Sequence, residues 1–209
     1  MTDADDAARL VLATPPRGDL EAVAAALPAA LASGLVATLR LDLPGAGEAE
    51  LRRAADQLRV ICHEADVAIV IRDHARLVPP LGLDGAQVEM PAANLKKLRA
   101  ELGADAIIGA ACGASRHDGM VAGEAGADYV LFSPVVPEPA AGPAEAAELE
   151  LFQWWAQMIE VPVVAEGGID LAQARLLAPF ADFIVPDASV WEGDLVANLK
   201  ALDQALREG

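Results

Sequence analysis

Val161-Pro-Val-Val-Ala-Glu-Gly-Gly-Ile-Asp170 is the stretch on which the fold turns. A short β-branched run around Pro162 ends in a Gly-Gly pair, and the chain restarts with Ile169 and Asp170. That order predicts a buried strand, a tight loop and a helix start. Glycines permit close backbone approach, and the helix that follows aims its N–H groups at whatever is approached. After the seventh strand of a parallel barrel, such a loop is a phosphate site.

Working outward, one element recurs: a small residue or Leu, then Asp, then an apolar run. It stands at Ala65-Asp66-Val-Ala-Ile-Val-Ile, Leu83-Asp84-Gly-Ala-Gln-Val, Ala104-Asp105-Ala-Ile-Ile, Ala127-Asp128-Tyr-Val-Leu-Phe and Ala181-Asp182-Phe-Ile-Val. An aspartate at each αβ turn is expected to hold its own turn. Arg9–Ala13, Leu35–Leu41 and Val161–Ala165 bring the strands to eight. Helical periodicity runs between them, over Asp19–Ser33, Gly47–Ala65, a short piece near His74–Leu81, Ala92–Leu102, Arg116–Ala125, Ala144–Ile159, Leu171–Ala178 and Trp191–Arg207. Pro28 is expected to kink or interrupt the first. Eight alternating units in 209 residues predict a single-domain α/β fold, a (β/α)8 TIM barrel over residues 1–209. The Pro-rich loop Pro134–Pro143 follows strand six, on the face where barrel active sites sit.

Composition narrows the partners. The formal charge is −17, which repels nucleic acid and anionic membrane but leaves room for an anionic ligand on backbone amides and an arginine. Apolar residues make up 54% of the chain, enough for a large core, yet no run is long enough to span a bilayer. Met1-Thr-Asp-Ala-Asp-Asp lacks the basic start of a signal peptide, so a cytoplasmic protein is expected. Cys62 and Cys112 have no metal-type spacing and are expected as reduced thiols.

The ordered loops resemble those of the thiamine phosphate synthase and thiazole tautomerase superfamily, from about Leu35 to Glu192. Ile71-Arg72-Asp73-His74 resembles the family's Ile-Asn-Asp-Arg, and Gly85-Ala-Gln-Val-Glu-Met90 its Gly-Val-His-Leu-Gly-Gln. Ile107–Cys112 is similar to its strand five. Gly126–Pro139 is similar to its Gly-Ala-Asp-Tyr-Ile followed by Gly-Pro-Val-Phe-Pro-Thr-Pro. Val163-Val-Ala-Glu-Gly-Gly-Ile169 matches Val-Val-Ala-Ile-Gly-Gly-Ile. The resemblance implies coupling of a pyrimidine pyrophosphate with a thiazole phosphate: pyrophosphate leaves, and the thiazole nitrogen takes its place. It implies Mg²⁺ as cofactor and a phosphorylated or heterocyclic small molecule as partner.

Carried over residue by residue, it places Arg40 and Asp73 in the site, Asp73 as metal carboxylate, with Arg72 where the family has asparagine. Gly167, Gly168, Ala188 and Ser189 fall in the phosphate loops. Glu138 falls on a threonine of the Pro-Thr-Pro loop. The departures are losses of polar groups. The family's strand-two lysine falls on Asp42, its second metal carboxylate on Ala92, its loop lysine on Ala141 and a phosphate-loop serine near Asp187. The implied reading is a thiamine phosphate synthase with a degenerate site and weak or absent activity. The alternative is a phosphate- or heterocycle-binding barrel with another activity or none.

Other candidates keep two readings each. Glu89, ending strand four, is a site carboxylate or a rim salt bridge. Cys112 ends strand five and is a site thiol or a small core residue. His74 is an acid/base at the rim or a helix-start residue, and His63 a residue of a helix face. One of Trp154 and Trp155 is expected to pack on the barrel; the other is free to anchor a homodimer.

Overall fold

The computed structural model describes residues 7–16, 19–90, 94–137 and 145–209. Eight parallel strands close a barrel in chain order. They are β1 (Arg9–Ala13), β2 (Val36–Leu41), β3 (Ala68–Arg72), β4 (Gly85–Glu89), β5 (Ile107–Ala111), β6 (Tyr129–Phe132), β7 (Val163–Glu166) and β8 (Phe183–Val185). Pairing of Arg9 with Phe183 and Leu10 with Ile184 shuts the ring. The helices are α1 (Leu20–Ala32), α2 (Glu48–Glu64), α3 (Val78–Leu81), α4 (Leu95–Leu102), α5 (Arg116–Glu124), α6 (Leu149–Met158), α7 (Leu171–Leu177) and α8 (Leu195–Glu208). Short 3-10 turns precede α3 (Ala75–Leu77) and α8 (Ala188–Trp191). No described helix is long and apolar enough to cross a membrane.

Helix starts follow capping chemistry. Asp19, Asn94, Ser115, Asp170 and Asp194 each accept a backbone N–H of their helix's first turn. Pro28 does not interrupt α1. It lies on the exposed face, where water can take the carbonyl its ring leaves unbonded. Helix α6 starts at Leu149, later than periodicity predicts, and Trp191 ends a 3-10 turn rather than opening α8.

The recurring aspartates do something other than hold their own turns. Asp84, Asp128 and Asp182 reach across to the preceding strand. Their carboxylates accept the N–H groups of Ile69, Ile108 and Val163 at 2.7, 2.6 and 2.7 Å. Each aspartate also donates its own N–H to the carbonyl of that same partner, at 2.9, 2.8 and 3.0 Å. The result is a two-point clamp at the base of β3–β4, β5–β6 and β7–β8. Asp66 instead closes the end of α2 with φ 56°, and Asp105 is exposed.

Most buried apolar side chains fill the layer between strands and helices. The barrel interior is a smaller cluster of Ala111, Leu131, Val164 and Val185, packed by Val11, Ala13, Tyr129 and Phe183. A Cβ on Gly109 would stand 2.0 Å from Tyr129 Cζ, so glycine there makes room for that ring inside the barrel. Trp155 is buried, meets Phe132 edge-on at 5.0 Å and donates Nε1–H to Val161 O at 2.8 Å. Trp154 lies under the guanidinium of Arg116, whose Cζ is 4.3 Å from the ring centroid.

Candidate active site

Above the apolar interior the strand ends turn polar. Inward positions repeat every second residue, and at the carboxyl ends of β2, β3, β4 and β7 these are Arg40, Asp42, Arg72, Gln87, Glu89 and Glu166. Arg40 is 1% exposed. It donates from Nη1 to Gln87 Oε1 at 3.1 Å and to Glu166 Oε2 at 2.8 Å. Its Nη2 pairs with Asp42 Oδ2 at 3.2 Å and with Glu166 Oε1. Burial alone would lower the Arg40 pKa; the hydrogen bond and charge of Glu166, with Asp42 behind it, outweigh that and raise it. Gln87 Oε1 also accepts from the Tyr129 hydroxyl at 3.2 Å, and burial pushes that phenol's pKa up.

A second arginine continues the network outward. Arg72 donates to Asp42 at 3.2 Å and to Glu89 at 2.9 Å, and lies 3.7 Å from the Asp73 carboxylate. Its pKa is also raised: burial opposes the rise, and Asp42 and Glu89 drive it. Glu89 is therefore a rim salt-bridge partner. Asp73 is half exposed and has φ 62°, a left-handed conformation uncommon outside glycine and concentrated at functional sites. Asp42, Arg72, Asp73 and His74 share a cleft of about 300 Å³ with the β2 loop. Among the described residues no group of three or more His, Cys, Asp or Glu side chains is set to hold a metal.

The phosphate-loop candidates lie on the adjoining side of the mouth. Gly167 and Gly168 have φ of 93° and 70°. Their close approach is to the loop after β6: a Cβ would meet Pro134 at 2.9 Å and Val136 at 2.7 Å. Backbone bonds zip the two loops together, Val135 N–H to Glu166 O at 2.9 Å and Val136 N–H to Gly167 O at 3.0 Å. Ala188 and Ser189 open the 3-10 turn after β8, where the Asp187 carboxylate already takes the Ser189 N–H at 2.9 Å. Ile169, Asp170, Asp187 and Ser189 border a cleft of about 320 Å³.

Cys112 is 2% exposed and donates to Ala110 O at 3.4 Å. Burial, with the Asp118 and Glu89 charges, pushes its thiol up to about 12. It belongs to the packing. His63 meets Asp84 at the barrel base, 3.0 Å away. Glu138, Ala92 and Ala141 lie outside the described residues.

The structure thus brings Arg40, Arg72, Asp73 and Glu89 to one mouth. Gln87 and Tyr129 of that mouth did not stand out as candidates in the sequence, Asp42 stood there only as a lysine lost, and Glu166 only as the start of the expected phosphate loop Glu166–Asp170. The available signal was phase. A charged or amide side chain at an inward position of an apolar strand has to find a partner across the barrel.

Residues 10–184 match the family model described as thiamine monophosphate synthase. The chain is 42% identical over 184 residues to a thiamine-phosphate synthase of Rhodospirillum centenum, covering 88% of this chain and 89% of that protein. It is 38% identical to one of Erythrobacter litoralis, covering 83% of each. Among solved structures, a thiamine phosphate pyrophosphorylase from Pyrococcus furiosus superposes with a TM-score of 0.81 over 96% of each chain, at 24% identity, a likeness of fold. With its barrel and loop order, this chain belongs to the thiamine monophosphate synthase family.

Proposed function

We propose that this chain binds a phosphorylated thiazole at the β7–β8 loops and a pyrimidine pyrophosphate over Arg72 and Asp73, and couples them slowly to thiamine phosphate. The observation that carries this reading is the adjacency of Arg72 and Asp73 at the end of β3, on the cleft shared with Asp42, in a chain with thiamine-phosphate synthase relatives of this identity. In the coupling, the bond from the pyrimidine methylene to pyrophosphate oxygen breaks and its electron pair leaves with pyrophosphate. The thiazole nitrogen lone pair forms the new C–N bond, and that nitrogen becomes cationic. Arg72 lies where charge develops on the leaving group, and such placement is the main lever on rate.

The donor set fits magnesium in one form. Asp42 and Glu89 are each hydrogen-bonded to arginine, while Asp73 stands 3.7 Å from Arg72 and half exposed, so Asp73 is the carboxylate most open to hold Mg²⁺, with the remaining oxygens from substrate and water. Bound there, the ion would neutralise charge on the departing pyrophosphate. The slow rate follows from the same inventory. Asp42 and Ala141 stand where the resembling motif carries lysines, and each missing contact costs on the order of a hundredfold.

The test is thiamine phosphate formation from both precursors with Mg²⁺, read by chromatography. The expected result is slow turnover that Asp73→Ala and Arg72→Ala each abolish. Fast turnover that survives either substitution overturns the assignment. A second reading, binding without coupling, is favoured by one observation: Asp42, Asp73, Glu89 and Glu166 outnumber the two arginines they surround. It predicts thiazole phosphate binding by titration with no product.

A further inference from the structure

We propose that Glu166 determines which anions this mouth accepts: its carboxylate holds both terminal nitrogens of Arg40 where a ligand's phosphoryl oxygens would otherwise sit, leaving Arg72 to meet the incoming group. The inference deepens the proposed function and rests on its premise that a phosphoryl group enters here.

The geometry is that of a carboxylate on the guanidinium fork, one oxygen to each terminal nitrogen. Gln87 and Asp42 take the remaining directions of those nitrogens. Nε, the one N–H of Arg40 without a partner among the described residues, is buried. The guanidinium therefore offers a ligand no open edge. Glu166 is 22% exposed against 1% for Arg40, so the carboxylate covers the arginine from the solvent side. A polyanion approaching Arg40 has to part this pair and then sit beside a displaced Glu166. Arg72 is paired as well, with Asp42 and with the half-exposed Glu89, but at 40% exposure it is open to solvent and to a ligand where Arg40 is not.

The sequence marks the position as distinctive. In Val163-Val-Ala-Glu-Gly-Gly-Ile169 the glutamate stands where the resembling motif has isoleucine. An isoleucine there leaves the fork open, paired to Asp42 and Gln87 alone. The mouth of this chain should therefore meet a pyrophosphate with Arg72 alone, and hold it more weakly than a mouth whose Arg40 fork is open.

The experiment is isothermal titration of the whole chain with inorganic pyrophosphate, at low salt and with chelator present so that divalent cations play no part. Glu166→Ile should bind pyrophosphate at least tenfold more tightly than the wild type. Glu166→Gln, which keeps shape but removes the charge, should gain at least threefold. The gain should vanish in Glu166→Ile with Arg40→Met, because it acts through Arg40. Affinities of Glu166→Ile and Glu166→Gln within twofold of wild type overturn the proposal, as does a gain that persists without Arg40. Should Glu166→Ile fail to fold, the Glu166→Gln titration decides. The readout is independent of turnover: a pyrophosphate gain without thiamine phosphate formation removes the coupling reaction and leaves this role for Glu166 standing.

Discussion

Carboxylates do opposite work at the two ends of this barrel. At the base, Asp84, Asp128 and Asp182 accept backbone amides of the neighbouring strand and return a backbone bond to the same residue. At the mouth, Asp42, Glu89 and Glu166 face the side chains of Arg40 and Arg72. A backbone amide has nowhere else to go, so the base contacts are part of the fold. An arginine side chain has rotamers, and a ligand can compete for it, so the mouth contacts are exchangeable. The two arginines divide the mouth again: Arg40 is sealed in and Arg72 stands at the rim.

Four perturbations separate these roles, in descending order of their expected effect on stability. Arg40→Met should cost about 3 kcal/mol in urea denaturation, because it leaves Glu166 and Asp42 facing each other without their shared cation. A cost under 1 kcal/mol would mean that the inner pair is as loose as a surface one. Asp182→Ala strands the Val163 N–H, a group in a residue 1% exposed, and should cost about 2 kcal/mol. It should leave pyrophosphate binding untouched; a binding defect there would erase the distinction between base and mouth.

The third perturbation acts on the packing between strands and helices. Burial pushes the Cys62 and Cys112 thiols up to about 12, from an ordinary 9. Above pH 9 the unfolded chain releases these protons and the native one keeps them, so stability is full below pH 9 and falls as pH rises towards 12. The loss should be roughly 1 kcal/mol per thiol at pH 10. A Cys62→Ala, Cys112→Ala variant should lack that share of the alkaline slope; an unchanged slope assigns it elsewhere. The smallest stability effect belongs to Arg72→Met, whose guanidinium is 40% exposed and whose loss should cost under about 1 kcal/mol. Its effect on thiamine phosphate formation should be the reverse, a loss of about a hundredfold or more. Arg72→Met that unfolds the chain, or leaves turnover intact, breaks the division between the sealed and the rim arginine.

The barrel was legible because its signals are local. Arg9–Ala13 matches β1 residue for residue, and Asp19, Ser115 and Asp170 cap helices where capping chemistry puts them. Pro28 misled because its effect depends on which face of the helix it occupies, and that is set by tertiary packing. The site was legible only in part. Arg40, Arg72 and Asp73 were identifiable one by one, whereas their partners are set by barrel closure. Glu166 lies 126 residues from Arg40, and Asp42 lies 30 from Arg72. Asp42, read along the chain, is a lysine lost; read across the barrel, it is the carboxylate that both arginines share. The turn aspartates show the same limit: their position was plain, and their reach to the next strand was not.

The aspartate clamps join β3 to β4, β5 to β6 and β7 to β8, and skip the seams between those pairs. The first pair is tied at the other end, where Thr14 and Asp42 exchange bonds through the threonine hydroxyl. The strands are therefore fastened in four pairs around the ring, and side chains of the helices, His63 of α2 and Arg99 of α4, reach from one pair to the clamp aspartate of the next. A chain of this kind is divisible. A break in the polypeptide between pairs, along α4 for instance, would leave each strand-to-strand clamp within one fragment, whereas a break between β3 and β4 would put Asp84 and Ile69 on different molecules. Such a pattern favours growth and rearrangement by whole strand pairs, with the mouth free to change its side chains while the base keeps the pieces together.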